Sequence, residues 1–273
     1  MGTLFIVATP IGNLEDITLR ALRVLREVSL IAAEDTRRTA TLLSHYEIET
    51  RLISYHEHNK LVRQGRILEA LSEGDVALVS DAGTPGLSDP GYKLVEAVLE
   101  CGHKVSPIPG PSAPIAALVS SGLPSDRFLF LGYLPRRISE RQRLLNDLAQ
   151  EKRTMILFEV PHRLLDSIQD MEDILGGTRS VAVSRELTKI HEEILRGTLH
   201  EMRSHFSEVK PRGEFTLIIA GAPETDRWSE EALREAVKEA LQDGMSPSDA
   251  AREIASRSGW SRRQVYKITQ EVK

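Results

Sequence analysis

Five consecutive residues without charge, 76–80, run straight into DAGTPGLSDPG at 81–91, eleven residues holding three glycines and two prolines. An apolar run this short reads as a strand buried on both faces, as in the parallel sheets of α/β proteins. The loop behind it then sits at a strand's carboxyl end, where open α/β sheets bind ligands. Glycine opens backbone conformations closed to other residues and lets a ligand approach the main chain, while proline keeps such a loop stiff. The loop matches neither G-x-G-x-x-G nor a P-loop ending in Gly-Lys-Ser/Thr, so dinucleotide and nucleoside triphosphate chemistry lose support.

The rest of the first half repeats the pattern. Runs 3–8, 30–33, 51–54 and 104–108 read as further strands, and 19–28, 36–44, 61–71 and 92–100 as helices, which makes a mostly parallel sheet of about five strands. Gly122, Pro124, Ser125 and Asp126 form a turn-rich break. A second alternation follows, with strands at 128–131, 155–158, 180–183 and 215–220 and helices at 140–150, 164–171 and 199–206. After Gly221, Ala222, Pro223 and Glu224 only helices are expected: 230–241, one starting at Pro247 with Ser246 as its cap, and one capped by Ser261 and running to Gln270. Ser258-Gly259 between the last two gives helix-turn-helix spacing. The expected organisation is two α/β domains, 1–123 and 124–223, and a small all-α C-terminal domain, 224–273.

Two more loops share the character of the first. PIPGPSAP at 107–114 carries four prolines in eight residues, with Ser112 placed to cap the next helix; ATPIGNLEDIT at 8–18 again follows a strand. Three rigid loops at one sheet edge make a small-molecule cradle.

A formal net charge of −5 and a pI near 6.0 argue against coating nucleic acid through bulk positive charge. Local patches remain: Arg136, Arg137, Arg141 and Arg143 around Glu140, and six basic residues in 252–273, among them Arg262, Arg263 and Lys267. Trp260 and Tyr266 lie within the second patch and read as core. The single cysteine, Cys101, has no partner for a disulfide, and the apolar run at 4–8 stops at Pro10 and Gly12, so a cytoplasmic protein without export signal or membrane anchor is expected. His56, Glu57 and His58 alternate as metal ligands can, but no further ligands stand at suitable spacing, and no metal is expected.

The motifs ATPIGNLEDIT at 8–18, AEDTRRT at 33–39, SDAGTPGLSDPG at 80–91 and PGPSA at 109–113, with FEVPHR at 158–163 and GEFTLIIAG at 213–221, resemble the tetrapyrrole-methylase superfamily. Within it they resemble the branch that methylates a cytidine 2′-oxygen in 16S rRNA of the small ribosomal subunit. The resemblance implies two α/β domains with S-adenosylmethionine folded in the cleft between them, and a homodimer. By motif, Pro10, Asp81, Gly83, Pro85, Ser88, Ser112 and Ala113 would line the cofactor from the first domain, and Phe158, Gly213, Glu214, Phe215 and Thr216 from the second. Arg136, Arg137, Arg262, Arg263 and Lys267 are the candidate RNA contacts.

A ribose hydroxyl is a weak nucleophile until its proton is removed. Glu34, Asp35, His56, Glu57, Glu159 and His162 are candidates for that task, with Arg37 on a backbone phosphate. An equally open reading makes Asp35 the cap of the helix at Thr36 and leaves its arginines solvated or salt-bridged. Other branches of the superfamily, acting on a tetrapyrrole or a protein residue, and a ligand-sensing DNA-binding regulator, are the alternatives.

Overall fold

A computed structural model describes residues 2–56, 60–88, 91–223 and 228–272. Its first sheet holds β1 (Thr3–Val7), β2 (Leu30–Ala33), β3 (Leu52–Ser54), β4 (Val76–Val79) and β5 (Lys104–Ile108) in the order β3-β2-β4-β1-β5, all parallel. Helices α1 (Leu19–Glu27), α2 (Thr36–His45), α3 (Lys60–Glu73) and α4 (Tyr92–Glu100) return the chain between strands. In α1 the spacing of Ala21, Val24 and Leu25 produces one apolar stripe, all three buried, and the Thr18 hydroxyl accepts the Ala21 N–H that the first turn leaves open. Both faces of the sheet are covered: Leu25, Ile31 and Leu42 pack on one side, Leu4, Ile67 and Leu94 on the other. All four residues of β2 and of β4 are buried for that reason.

The second sheet contains β6 (Phe128–Tyr133), β7 (Thr154–Glu159), β8 (Ser180–Arg185), β9 (Glu193–Thr198) and β10 (Phe215–Ile219), ordered β6-β7-β10-β8-β9. Only β6 and β7 pair in parallel; the remaining pairs are antiparallel. Strand β9 is absent from the sequence reading because it is a half-buried edge strand whose Glu193, Arg196 and Gly197 break the apolar alternation. Helices α6 (Ile138–Asp147), α7 (Pro161–Leu175) and α8 (Leu199–Glu208) follow. A core built on Leu145, Leu157, Ile168, Phe206 and Leu217 fills the space they enclose with the sheet. Helix α5 (Ala113–Ser121) covers the opposite face, packing Ala117 and Leu118 on Ile156, Ala182 and Ile218.

Both sheets fall in one compact unit, residues 1–149 and 153–220; residues 150–152 and 221–273 form a second. The second unit is helical, with α9 (Glu230–Gln242), α10 (Pro247–Ser258) and α11 (Arg262–Glu271) closing on Leu233, Val237, Ile254, Val265 and Ile268. Ser246 caps α10, Ser261 and Gln264 form a capping box on α11, and Gly259 takes the left-handed conformation that ends α10. Trp260 is part of this packing and donates its Nε1–H to the Trp228 carbonyl at 2.8 Å. Tyr266 corrects the sequence reading: 46% of it is exposed, because α11 turns that position outward. No helix among the described residues is long and apolar enough to cross a membrane.

Arg141 also departs from expectation. Its sequence neighbours suggest a surface patch, yet α6 points it inward, where it is buried and holds Asp170 through Nε at 2.6 Å while Gln142 takes the other Asp170 oxygen at 2.9 Å. It is a structural ion pair.

Candidate functional site

In the first sheet the chain leaves β1 toward β2 and leaves β4 toward β5, in opposite directions from neighbouring strands. Such a reversal opens a crevice at the strands' carboxyl ends. The loops there are sewn together. Thr9 and Gly83 exchange both backbone hydrogen bonds, at 2.9 and 3.0 Å, and the Thr84 hydroxyl donates to the Pro111 carbonyl at 3.3 Å. Gly83 has φ +77°, and a Cβ there would lie 3.3 Å from Ile11 Cγ2, so the tight approach of these loops needs glycine.

Over the crevice stands one transverse row of the second sheet. Tyr133 pairs with Phe158, Phe158 with Thr216, and Thr216 with Ser184, across β6, β7, β10 and β8. Residues in register share a face, and all four line the same cavity as Asp81, Gly83, Ser88, Ser112 and Ala113. Tyr133 reaches the row because a bulge between Phe130 and Gly132, with Gly132 at φ +62°, shifts β6 by one residue. The hollow has a volume of about 250 Å³. The Ser184 hydroxyl is buried at its wall and has no hydrogen-bond partner among the described residues. A buried hydroxyl left so is costly unless a ligand serves it.

Backbone strain gathers here too. Among the described residues four non-glycines have left-handed φ; Ser88 and Glu186 line the cavity and Thr188 lies between the lining residues Leu187 and Lys189. Strained positions of this kind persist where surrounding structure imposes them, often at binding sites.

The walls carry four carboxylates, Glu34, Asp81, Glu186 and Glu214, against two cations, Arg38 and Lys189, which leaves two formal negative charges in excess. Burial pushes the Glu34 carboxyl above its ordinary pKa, helped by Asp81 and opposed by the Asp81 N–H, Arg38 and His56. Burial also acts to raise Glu186, but its bonds from Lys189 Nζ at 2.9 Å and from the Glu214 N–H at 3.1 Å outweigh it and hold the group low. Asp35 faces a different environment. It caps α2 and takes two hydrogen bonds from the Arg37 guanidinium, at 3.1 and 2.7 Å, which keep its pKa far below the carboxylate range.

Of the residues selected from sequence, Asp81, Gly83, Ser88, Ser112, Ala113, Phe158, Glu214, Phe215, Thr216 and Glu34 come together around this cavity. Pro10 borders a smaller hollow beside Arg38 and Leu42, and Pro85 an apolar groove behind the loop with Tyr92 and Ile115. Gly213 lies one residue from the lining, at φ +81° beside Glu186. Ser112 occupies the α5 cap position without a side-chain capping bond, contrary to expectation. Asp35 and Arg37 pair with each other outside the lining, while Arg38, unselected, lines it and stands 3.4 Å from Asp81. Ile11, Tyr133, Ser184, Glu186, Leu187 and Lys189 are also lining residues the sequence did not single out; the signal for Arg38 was its position one residue past Arg37 in AEDTRRT. Glu159 is buried and bonded to Ser167 at 2.6 Å, which removes it from the candidates for a base.

Arg136 and His162 border a second groove next to Tyr133, and Arg137 pairs with Glu140 at 3.2 Å. In the helical unit Arg262 donates to Ser248 at 3.1 Å, Lys267 stands 3.9 Å from Glu271, and Arg263 is exposed. Glu57 and His58 lie outside the described residues. Among the described ones no group of three or more His, Cys, Asp or Glu is arranged to hold a metal.

Residues 3–203 match the sequence family described as Tetrapyrrole (Corrin/Porphyrin) Methylases. The chain is 52% identical over all of its length to a protein of Synechocystis sp. that it covers to 99%, named ribosomal RNA small subunit methyltransferase I. A Thermotoga maritima protein of the same name is 51% identical over 222 residues, which are 81% of this chain and 99% of that one. In structure it is similar to cobalt precorrin-4 methyltransferase, with a TM-score of 0.60 at 16% identity over 80% of this chain and 94% of that one. A diphthine synthase superposes with a TM-score of 0.60 at 14% identity, covering 80% and 90%. These two likenesses are of fold alone.

Proposed function

Because the chain belongs to the tetrapyrrole methylase family, among its ribosomal RNA small subunit methyltransferase I members, we propose that it transfers a methyl group from S-adenosylmethionine to a cytidine 2′-oxygen in 16S rRNA. The observation that carries the cofactor assignment is the cavity itself: an excess of carboxylate at its walls suits a sulfonium cation, and the partnerless Ser184 hydroxyl offers a hydrogen bond to a polar ligand. Whole-length similarity to relatives named for small-subunit rRNA carries the substrate class.

The donor supplies a methyl already activated by positive sulfur, so the protein has to align the acceptor and exclude water. Asp81, Ser112, Ser184 and Thr216 provide polar groups to hold the donor, while Phe158, Leu87 and Tyr133 give the cavity its apolar surface. Glu34 is the base in this reading. It lines the cavity and its raised pKa makes it a better proton acceptor than an ordinary carboxylate, whereas Asp35, engaged by Arg37, is a poor one. Arg38 steadies Asp81 and adds a positive charge to the cavity wall.

Calorimetric titration with S-adenosylmethionine tests the assignment. Saturable one-to-one binding, weakened by Asp81→Ala and by Ser184→Ala, is the expected result; equal affinity in the wild type and both variants would mean that the donor sits elsewhere.

A further inference from the structure

Strands β6 and β7, the parallel pair of the second sheet, bring their following segments to one edge. Tyr133, Leu134, Pro135 and Arg136 leave β6 there, and Val160, His162 and Arg163 open α7; together they line a groove. Tyr133 is common to this groove and to the cofactor cavity. The groove therefore adjoins the place where the methyl would be delivered.

Its construction is firm on one side and receptive on the other. The Arg163 guanidinium donates to the Leu134 and Pro135 carbonyls, at 2.8 and 3.1 Å, and stands 3.6 Å from the buried Glu159 carboxylate. Arg163 is thereby consumed in holding the wall. Arg136 and His162 are exposed, and Arg136 has no ion-pair partner among the described residues. The fifteen-residue helix α7 starts one residue before His162 without a side-chain cap, and its N-cap Val160 lines the groove, so its positive end also faces this region. The Tyr133 ring, half exposed, leans on Phe158 at 5.5 Å. An exposed guanidinium, an imidazole able to hydrogen-bond, a helix N-terminus and an aromatic plate are the parts that single-stranded nucleic acid sites combine.

Resting on the reading above, we infer that this groove seats the acceptor strand: the phosphodiester beside the acceptor nucleotide lies against Arg136, His162 and the start of α7, and the nucleotide's base stacks on Tyr133. The bulge in β6 is then a positioning device. It moves the ring into the row that faces the donor, so one side chain sets the acceptor's distance while the groove sets its register.

The test compares the full-length wild type with Arg136→Glu, His162→Glu, Tyr133→Leu and Tyr133→Phe, using unmethylated small ribosomal subunits as substrate. Arg136→Glu should raise KM about tenfold and lower the salt slope of RNA binding by about one, with S-adenosylmethionine affinity unchanged. His162→Glu should raise KM in the same direction. Tyr133→Leu should lower kcat about tenfold and Tyr133→Phe should restore it, since the ring and not the hydroxyl stacks. Wild-type KM, kcat and salt slope in Arg136→Glu and Tyr133→Leu would overturn the assignment while leaving the methyltransferase reading intact. A wild type that binds the donor but labels no RNA overturns both, and does so before any variant is made.

Discussion

Asp81 Oδ1 accepts the backbone N–H of Asp35 at 2.9 Å, so a side chain from the loop after β4 fixes the main chain where β2 ends. Its other oxygen stands 3.4 Å from Arg38, and its own N–H lies 3.4 Å from Glu34 Oε2. Asp81 thus holds two of the cavity's charged groups, Arg38 through its carboxylate and Glu34 through its backbone N–H.

Asp81→Ala should weaken S-adenosylmethionine binding by about tenfold to a hundredfold, since a hydrogen bond to a charged group contributes roughly 1.5–3 kcal/mol. Asp81→Asn keeps an acceptor for the Asp35 N–H and should recover part of that loss. Calorimetry on the two variants checks it.

The pH dependence follows from Glu34. Its pKa in the fold is raised by burial and by Asp81, and the base must be unprotonated, so kcat should rise with pH through a value above the ordinary 4.5. Glu34→Gln should lower kcat and remove that limb. For stability the sign is opposite: a carboxyl whose folded pKa exceeds its unfolded one favours the fold below the unfolded value and loses that contribution as pH rises through the folded one. Glu34→Gln should therefore flatten the stability profile across the same interval. A kcat profile with an unmoved acid limb in Glu34→Gln would assign the base elsewhere.

Gly213 stands at φ +81°, and a Cβ there would come 2.5 Å from Glu186 Oε1. Gly213→Ala should cost about 1–2 kcal/mol for the left-handed backbone and also displace Glu186 from Lys189, weakening donor binding. Gly244→Ala is the control, being left-handed at φ +85° with nothing within 4 Å of the new Cβ. Equal donor affinity in both variants would separate Glu186 from the site.

Arg141→Ala should destabilise the protein by about 3–5 kcal/mol, because it leaves the buried Asp170 without its cation. Arg137→Ala, which breaks an exposed pair with Glu140, should change stability little. Chemical denaturation distinguishes the two; similar midpoints would show that Arg141 is not the internal brace described.

What could be read from sequence has a physical boundary. The loops at 8–18, 81–91 and 107–114 were legible because glycine and proline declare backbone demands locally, and Thr9, Gly83 and Pro111 do meet at one edge. Ser184, Glu186 and Lys189 were not, since they reach the cavity through the pairing of β8 with β10 and the strained turn beyond, and no local pattern encodes strand direction. Tyr133 depended on a one-residue bulge, which alternation alone would have missed. Arg141 and Arg137 look alike along the chain; only the packing of α6 against Asp170 separates a brace from a surface charge. Arg37 and Arg38 divide in the same way, one bound to Asp35 and the other at the cavity wall.

The most direct test is to incubate the protein with unmethylated small ribosomal subunits and methyl-labelled S-adenosylmethionine, and then to locate the label in the 16S rRNA. The label should rest on a cytidine 2′-oxygen, and the chain there should resist alkaline cleavage because the hydroxyl that initiates it is blocked. Label on a base, label only on a tetrapyrrole offered in parallel, or no transfer to RNA by donor-bound protein would contradict the account.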